Sequence, residues 1–67
     1  MRRVIRNIKT GEYIDQGKWI SDFRAAQNFQ TASEVLKVCA ALKLRDVEMV
    51  VQHDPQRPEF HIPLPDS

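Results

Sequence analysis

Sixty-seven residues suffice for one small core and not for two, so length alone excludes a second domain. Hydrophobic residues at 42% and charged residues at 28% lie near ordinary globular values, which argues against wholesale disorder and against a membrane protein. Ten Lys and Arg against nine Asp and Glu leave a net charge of +1, too little for a global field that would draw in nucleic acid or anionic lipid.

Arg3 to Lys9 carries Val4, Ile5 and Ile8 among basic residues, Thr10-Gly11 supplies the glycine of a reversal, and Tyr13-Ile14 resumes an extended pattern. These residues predict a hairpin. Asp15-Gln16-Gly17-Lys18 is a second turn, after which Trp19-Ile20 makes a short third strand and Ser21-Asp22 offers a helix cap. Phe23, Ala26 and Phe29, at three-residue spacing, predict one or two helical turns. In Thr31-Ala32-Ser33-Glu34 a threonine cap and a glutamate three residues on start the main helix. Ala32, Val35, Leu36, Cys39 and Leu42 form its apolar stripe, and Lys43 and Arg45 suit its C-terminal end. Val47, Met49 and Val51 then alternate with Glu48, Val50 and Gln52 as a closing strand.

The predicted class is α+β: a small antiparallel meander or hairpin, a short helical turn, one main helix packed on the sheet, and a closing strand, ββ(β)αβ. The closing strand is expected to return beside the first through a right-handed crossover, giving the order two, one, last, largely antiparallel. All four prolines, Pro55, Pro58, Pro63 and Pro65, fall in the last thirteen residues. Residues 1–54 therefore read as the domain and 55–67 as a proline-rich C-terminal tail.

Tyr13-Ile14, then Trp19-x-x-Asp22-x-x-x-Ala26-x-x-Phe29, then a helix and an Asp46-Val47-Glu48 strand resemble small bacterial and phage-borne proteins of unknown function, over about residues 4 to 52. The resemblance implies a fold in which Trp19 and Phe29 pin the junction before the helix. It implies no activity and carries over no functional residue.

The chemistry the chain could carry is narrow. Cys39, the one cysteine, sits in an apolar segment and reads as a buried thiol in a reducing compartment. No apolar run reaches membrane-spanning length, and Met1-Arg2-Arg3-Val4-Ile5-Arg6 lacks the apolar stretch of a signal peptide, so a soluble cytoplasmic protein without a membrane is expected. His53-Asp54 and Glu59-x-His61 gather two imidazoles and two carboxylates, yet their spacing matches no closed metal site, and the intervening prolines prevent a helix that would align them. Ser21 and Ser33 occupy capping positions, and two glycines in turns make no phosphate cradle. No enzyme, catalytic residue, cofactor or metal is expected.

Charge is unevenly placed. Arg2, Arg3, Arg6, Lys9 and Lys18 crowd the start against Glu12 and Asp15, while Asp46, Glu48, Asp54, Glu59 and Asp66 face Arg57 alone near the end. Paired first and last strands would set these opposite charges across from one another. The competing reading is a small nucleic-acid-binding protein in which Arg2, Arg3, Arg6 and Lys9 grip phosphates beside Tyr13 and Trp19. The favoured function is a non-catalytic protein-interaction or regulatory module, with an unknown protein or a second copy as partner. A single helix covers one sheet face, so Val4, Ile8, Val47, Met49 and Val51 are expected inward and Ile5 and Val50 on the open face. Phe60, Ile62 and Leu64 alternate with His61 and Pro63 and would line one side of an extended tail. The candidate interaction surface is thus Ile5, Val50, Phe60, Ile62 and Leu64.

Overall fold

Two tight reversals build an antiparallel meander in the computed structural model, which describes residues 1–66. Its strands are β1 (Arg2–Asn7), β2 (Tyr13–Asp15) and β3 (Lys18–Ile20). Asn7 shapes the first reversal: its Oδ1 accepts from the N–H groups of Lys9 and Thr10 at 2.9 and 3.1 Å. The second is a two-residue loop, Gln16 and Gly17, with φ of 50° and 85°. That pair of positive angles is what matches a hairpin turn to the twist of its strands, and glycine meets it without strain.

Beyond β3 the Ala25 N–H donates to the Asp22 carbonyl at 3.2 Å and the Ala26 N–H to the Phe23 carbonyl at 3.3 Å, one short helical turn. The segment makes a single turn, in which Asp22 Oδ1 accepts from the Arg24 N–H at 2.9 Å, and then enters the notch where β1 and β2 diverge. There the Gln27 N–H donates to the Ile14 carbonyl at 3.2 Å and the Phe29 N–H to the Arg3 carbonyl at 2.8 Å. The expected short helical turn is therefore present as a single turn, and the ladder bonds offered by β1 and β2 keep it from continuing to Phe29.

Helix α1 spans Ala32–Leu42, with Thr31 as its extended N-cap; Thr31 Oγ1 accepts from the Glu34 N–H at 3.1 Å. Lys43 ends it in the left-handed conformation, with φ 53°. The Lys43 N–H donates back to the Ala40 carbonyl and the Leu44 N–H to the Cys39 carbonyl, a reversal that swings Leu44 into the core. Val35 and Cys39 are the helix's buried residues, with Val38 partly buried beside them, whereas Leu36 and Leu42 of the predicted stripe are exposed. Eleven residues make a rod of only about 16 Å. Leu44 takes the place expected for Leu42.

The chain closes with β4 (Val47–Gln52) and β5 (Phe60–Pro63), giving one five-stranded sheet in the order β3-β2-β1-β4-β5. The predicted order two, one, last is present at its centre. Every pairing is antiparallel, including β1 with β4, as the largely antiparallel order expected has it; a right-handed crossover, which joins parallel neighbours, does not describe this return. Between β4 and β5, Asp54 and Pro55 open a tight turn: Asp54 Oδ1 accepts from the Gln56 N–H and its carbonyl from the Arg57 N–H. What reads in the sequence as the start of a tail is a return loop, and β5 belongs to the sheet. Ser67 of that predicted tail lies outside the described residues.

Both faces are covered over the middle of the sheet. On one, Val35, Cys39 and Leu44 pack over Ile5, Ile14, Val47, Met49 and Val51, joined by Phe29 from the notch, with Trp19 and Leu64 at the margin. On the other, Phe23 and Ala26 lie over Val4 and Val50, flanked by Tyr13 and Ile20. The register Val4↔Val50 and Ile5↔Met49 therefore reverses the expected facing of β1: Ile5 points to the helix and Val4 away from it. Ile8, expected inward, lies past the end of β1 and is exposed.

Candidate interaction surface

The five residues expected to form one open patch fall into two groups. Ile5 is 0% and Val50 1% exposed, each on a different face of the sheet and each under its own cover, so neither contributes to a surface. The short turn from Phe23 to Ala26 is the lid that buries Val50. Phe60 and Ile62 remain exposed, at 60% and 44%, and Leu64 is partly buried against the helix-side core.

Phe60 and Ile62 lie directly across from Val51 and Met49 and so share the helix-side face of the sheet with them. His53 meets the Phe60 ring edge to face, with centroids 5.9 Å apart. The outer border of β5 is guarded. Because the Leu64 N–H donates to the Val47 carbonyl at 3.1 Å, the antiparallel alternation turns the backbone groups of Phe60 and Ile62 toward β4 and those of His61 and Pro63 outward. Within the strand only His61 offers an outward N–H, since Pro63 has none, and Pro65 follows two residues later.

On the opposite face a row of charges crosses three strands. Glu48 of β4 is 8% exposed, and its Oε2 meets Arg6 Nη1 at 2.8 Å and His61 Nδ1 at 3.0 Å. His61 Nε2 lies 3.3 Å from Glu59 Oε2. Burial works to raise the Glu48 carboxyl's pKa, but hydrogen bonds from His61 and Arg6, together with their charges, outweigh it and hold the group below its usual range. The hydrogen bond to Glu48 in turn raises Arg6 above its ordinary value. Sequence spacing placed Glu59 and His61 together; Glu48 was visible only as a strand residue, and the Arg6↔Glu48 register is what brings it in. His61 turns its two nitrogens to carboxylates on opposite sides of the ring, and His53 sits apart against Phe60, so the two imidazoles do not converge. No group of three or more potential metal ligands occurs among the described residues.

The four basic residues of the nucleic-acid reading are dispersed. Arg2 donates to the Ala26 carbonyl at 3.2 Å and lies over the Phe23 ring, while Arg3 donates to the carbonyls of Phe29 and Gln30. Arg6 is committed to Glu48, and Lys9 pairs at 3.3 Å with Asp46 in an exposed contact. The arginines fasten the notch segment and the sheet. Cys39 is buried in the core, where desolvation raises its thiol. No helix among the described residues is long and apolar enough to cross a membrane. Comparison with protein-family models, with curated proteins and with solved structures finds no match for this chain.

Proposed function

We propose that the chain is a non-catalytic protein-interaction module whose contact strip is the helix-side face of β5, made by Phe60 and Ile62 with Leu64 at its inner end. The observation that carries this reading is the exposure of two large apolar side chains on one face of an edge strand, beside a buried Val51 and Met49. A partner that removed their remaining surface from water would gain about 1 kcal/mol from each. The proline-bearing border favours a partner lying across this face over one adding a strand. The reactive side chains have structural occupations: Cys39 packs in the core and His61 bridges two carboxylates. Against the nucleic-acid alternative stands the commitment of Arg2, Arg3 and Arg6 to protein acceptors.

The partner class is a protein with an apolar patch, a second copy included. The test compares wild type with a Phe60→Ser, Ile62→Thr double variant in two measurements: sedimentation equilibrium over a range of concentrations, and retention of native-host proteins on the immobilised chain. The variant is expected to melt close to wild type while losing self-association or the retained partner. Unchanged assembly together with an unchanged set of retained proteins refutes the proposal.

A further inference from the structure

The sheet has two borders, and they differ: β5 is guarded by Pro63, whereas β3 carries no proline. The two-residue loop at Gln16 and Gly17 makes Asp15 and Lys18 the hydrogen-bonded pair that closes the hairpin, so in the next pair, Ile14 and Trp19, the backbone groups point away from each other. The Ile14 carbonyl does so by accepting from Gln27 in the notch. The N–H and carbonyl of Trp19 therefore face outward from the free border, and the N–H of Ser21, two residues on, follows the same alternation. The side chains along this border are also free to engage. Trp19 and Ile20 are only partly buried, one on each face of the sheet, and Lys18 and Asp22 are exposed. Asp22 gives Oδ1 to the Arg24 N–H, and neither Lys18 nor Asp22 forms an ion pair among the described residues.

We infer that β3 pairs with β3 of a second copy, antiparallel about a two-fold axis at Ile20, joining two five-stranded sheets edge to edge. Two registers would use the outward groups of Trp19. Centred on Trp19, Lys18 would lie opposite Ile20 of the second copy, and the charges of Lys18 and Asp22 would stay unmatched. Centred on Ile20, the outward groups of Trp19 meet those of Ser21 of the second copy, Ile20 meets its own counterpart, and Lys18 lies across from Asp22 of the second copy. The two-fold repeats each of these contacts. The border thus carries positive charge at one end and negative charge at the other, in the order that an antiparallel copy of itself neutralises. A short strand and an edge lysine ordinarily discourage pairing with foreign strands, and here the lysine selects a partner that brings an aspartate to it. The pairing uses no residue of the β5 strip and stands independently of what that strip binds.

Sedimentation equilibrium of the full chain up to about 1 mM tests it, since a border this short lies well below a standard interface and makes a weak dimer. Lys18→Glu sets two acids opposite each other and Asp22→Lys two lysines. Each variant alone should have a dimer dissociation constant about tenfold or more above wild type, both cross-border pairs having turned from attraction to repulsion. An equimolar mixture of the two restores both pairs in a mixed dimer and should associate within about threefold of wild type. Phe60→Ser, Ile62→Thr should leave the pairing intact. In the wild type the Trp19 N–H should gain protection from hydrogen exchange as concentration rises, a reading that needs no variant to fold. A wild type that stays monomeric at the highest concentration, or a Trp19 N–H whose exchange ignores concentration, overturns the proposal. So do folded single variants that self-associate as wild type does, a mixture of folded variants that fails to recover, or a dimer lost in Phe60→Ser, Ile62→Thr.

Discussion

Replacing Glu48 with Gln keeps the shape of the side chain and removes its charge, and the outcome should depend on pH in a way that packing alone cannot imitate. Two charge-assisted bonds converge on Glu48 Oε2, from Arg6 at 2.8 Å and His61 at 3.0 Å. Each such bond contributes roughly 1.5 to 3 kcal/mol where solvent is excluded. Both partners reach water, with side chains 29% and 44% exposed, and burial of the carboxylate costs part of the gain. The amide retains one acceptor oxygen and sets an NH2 among donors. A net loss of about 1 to 2 kcal/mol at neutral pH follows. Because the folded chain holds Glu48 below its usual pKa, the unfolded chain takes up the proton first as acid is added. The contribution is therefore whole above the unfolded carboxylate range, about pH 4, and is lost as pH falls through the lowered folded value. Urea melts of both proteins at a series of pH values should show the gap narrowing toward zero at the acid end. A gap of constant size would mean that Glu48 acts through shape, and the electrostatic argument would fail.

Phe29→Ala should cost about 3 to 5 kcal/mol, since the ring is 2% exposed and its backbone closes the notch beside Arg3; on a domain this small that is most of the stability, and thermal melts would show it. Trp19→Ala should cost less, because the indole lies at the core margin. Val50→Lys should lower stability by about 3 kcal/mol or more, with loss of the folded circular dichroism spectrum, since the lysine would enter a space closed by Ala26 and Phe23; a well-folded variant would show that the lid is loose. Lys43→Gly should raise stability by about 0.5 to 1 kcal/mol by relieving a left-handed backbone at the helix end, and a lower melting temperature would contradict that account.

Alternation made the closing strand legible, because Val47, Met49 and Val51 face a helix while Glu48 faces a partner charge. The cap at Thr31 and the two reversals carried their own signals in hydroxyl and glycine placement. The facing of β1 was not legible: Val4 and Ile5 are adjacent and both buried, so periodicity could not choose between them. What decided was the match of Arg6 to Glu48 across forty-odd residues and the lid over Val4, both tertiary facts. Strand β5 was hidden by its own prolines, which usually argue against a strand and are harmless at positions whose N–H would point away from the ladder. The exposed pair Phe60 and Ile62 was readable from spacing. The row from Glu59 through His61 and Glu48 to Arg6 was not, because half of it comes from earlier in the chain.

The guarded border of β5 bears on how copies of this chain could multiply. A filament that grows by adding strands needs two receptive borders on every unit, one to accept and one to offer. Here one border carries Pro63 where a donor would be required, and the other is β3, three residues long. Two five-stranded sheets joined at β3 would present β5 at both ends, where a third copy would find His61 as the one outward N–H donor of the strand. Border-to-border growth beyond a pair is thus disfavoured by the same proline that shapes β5.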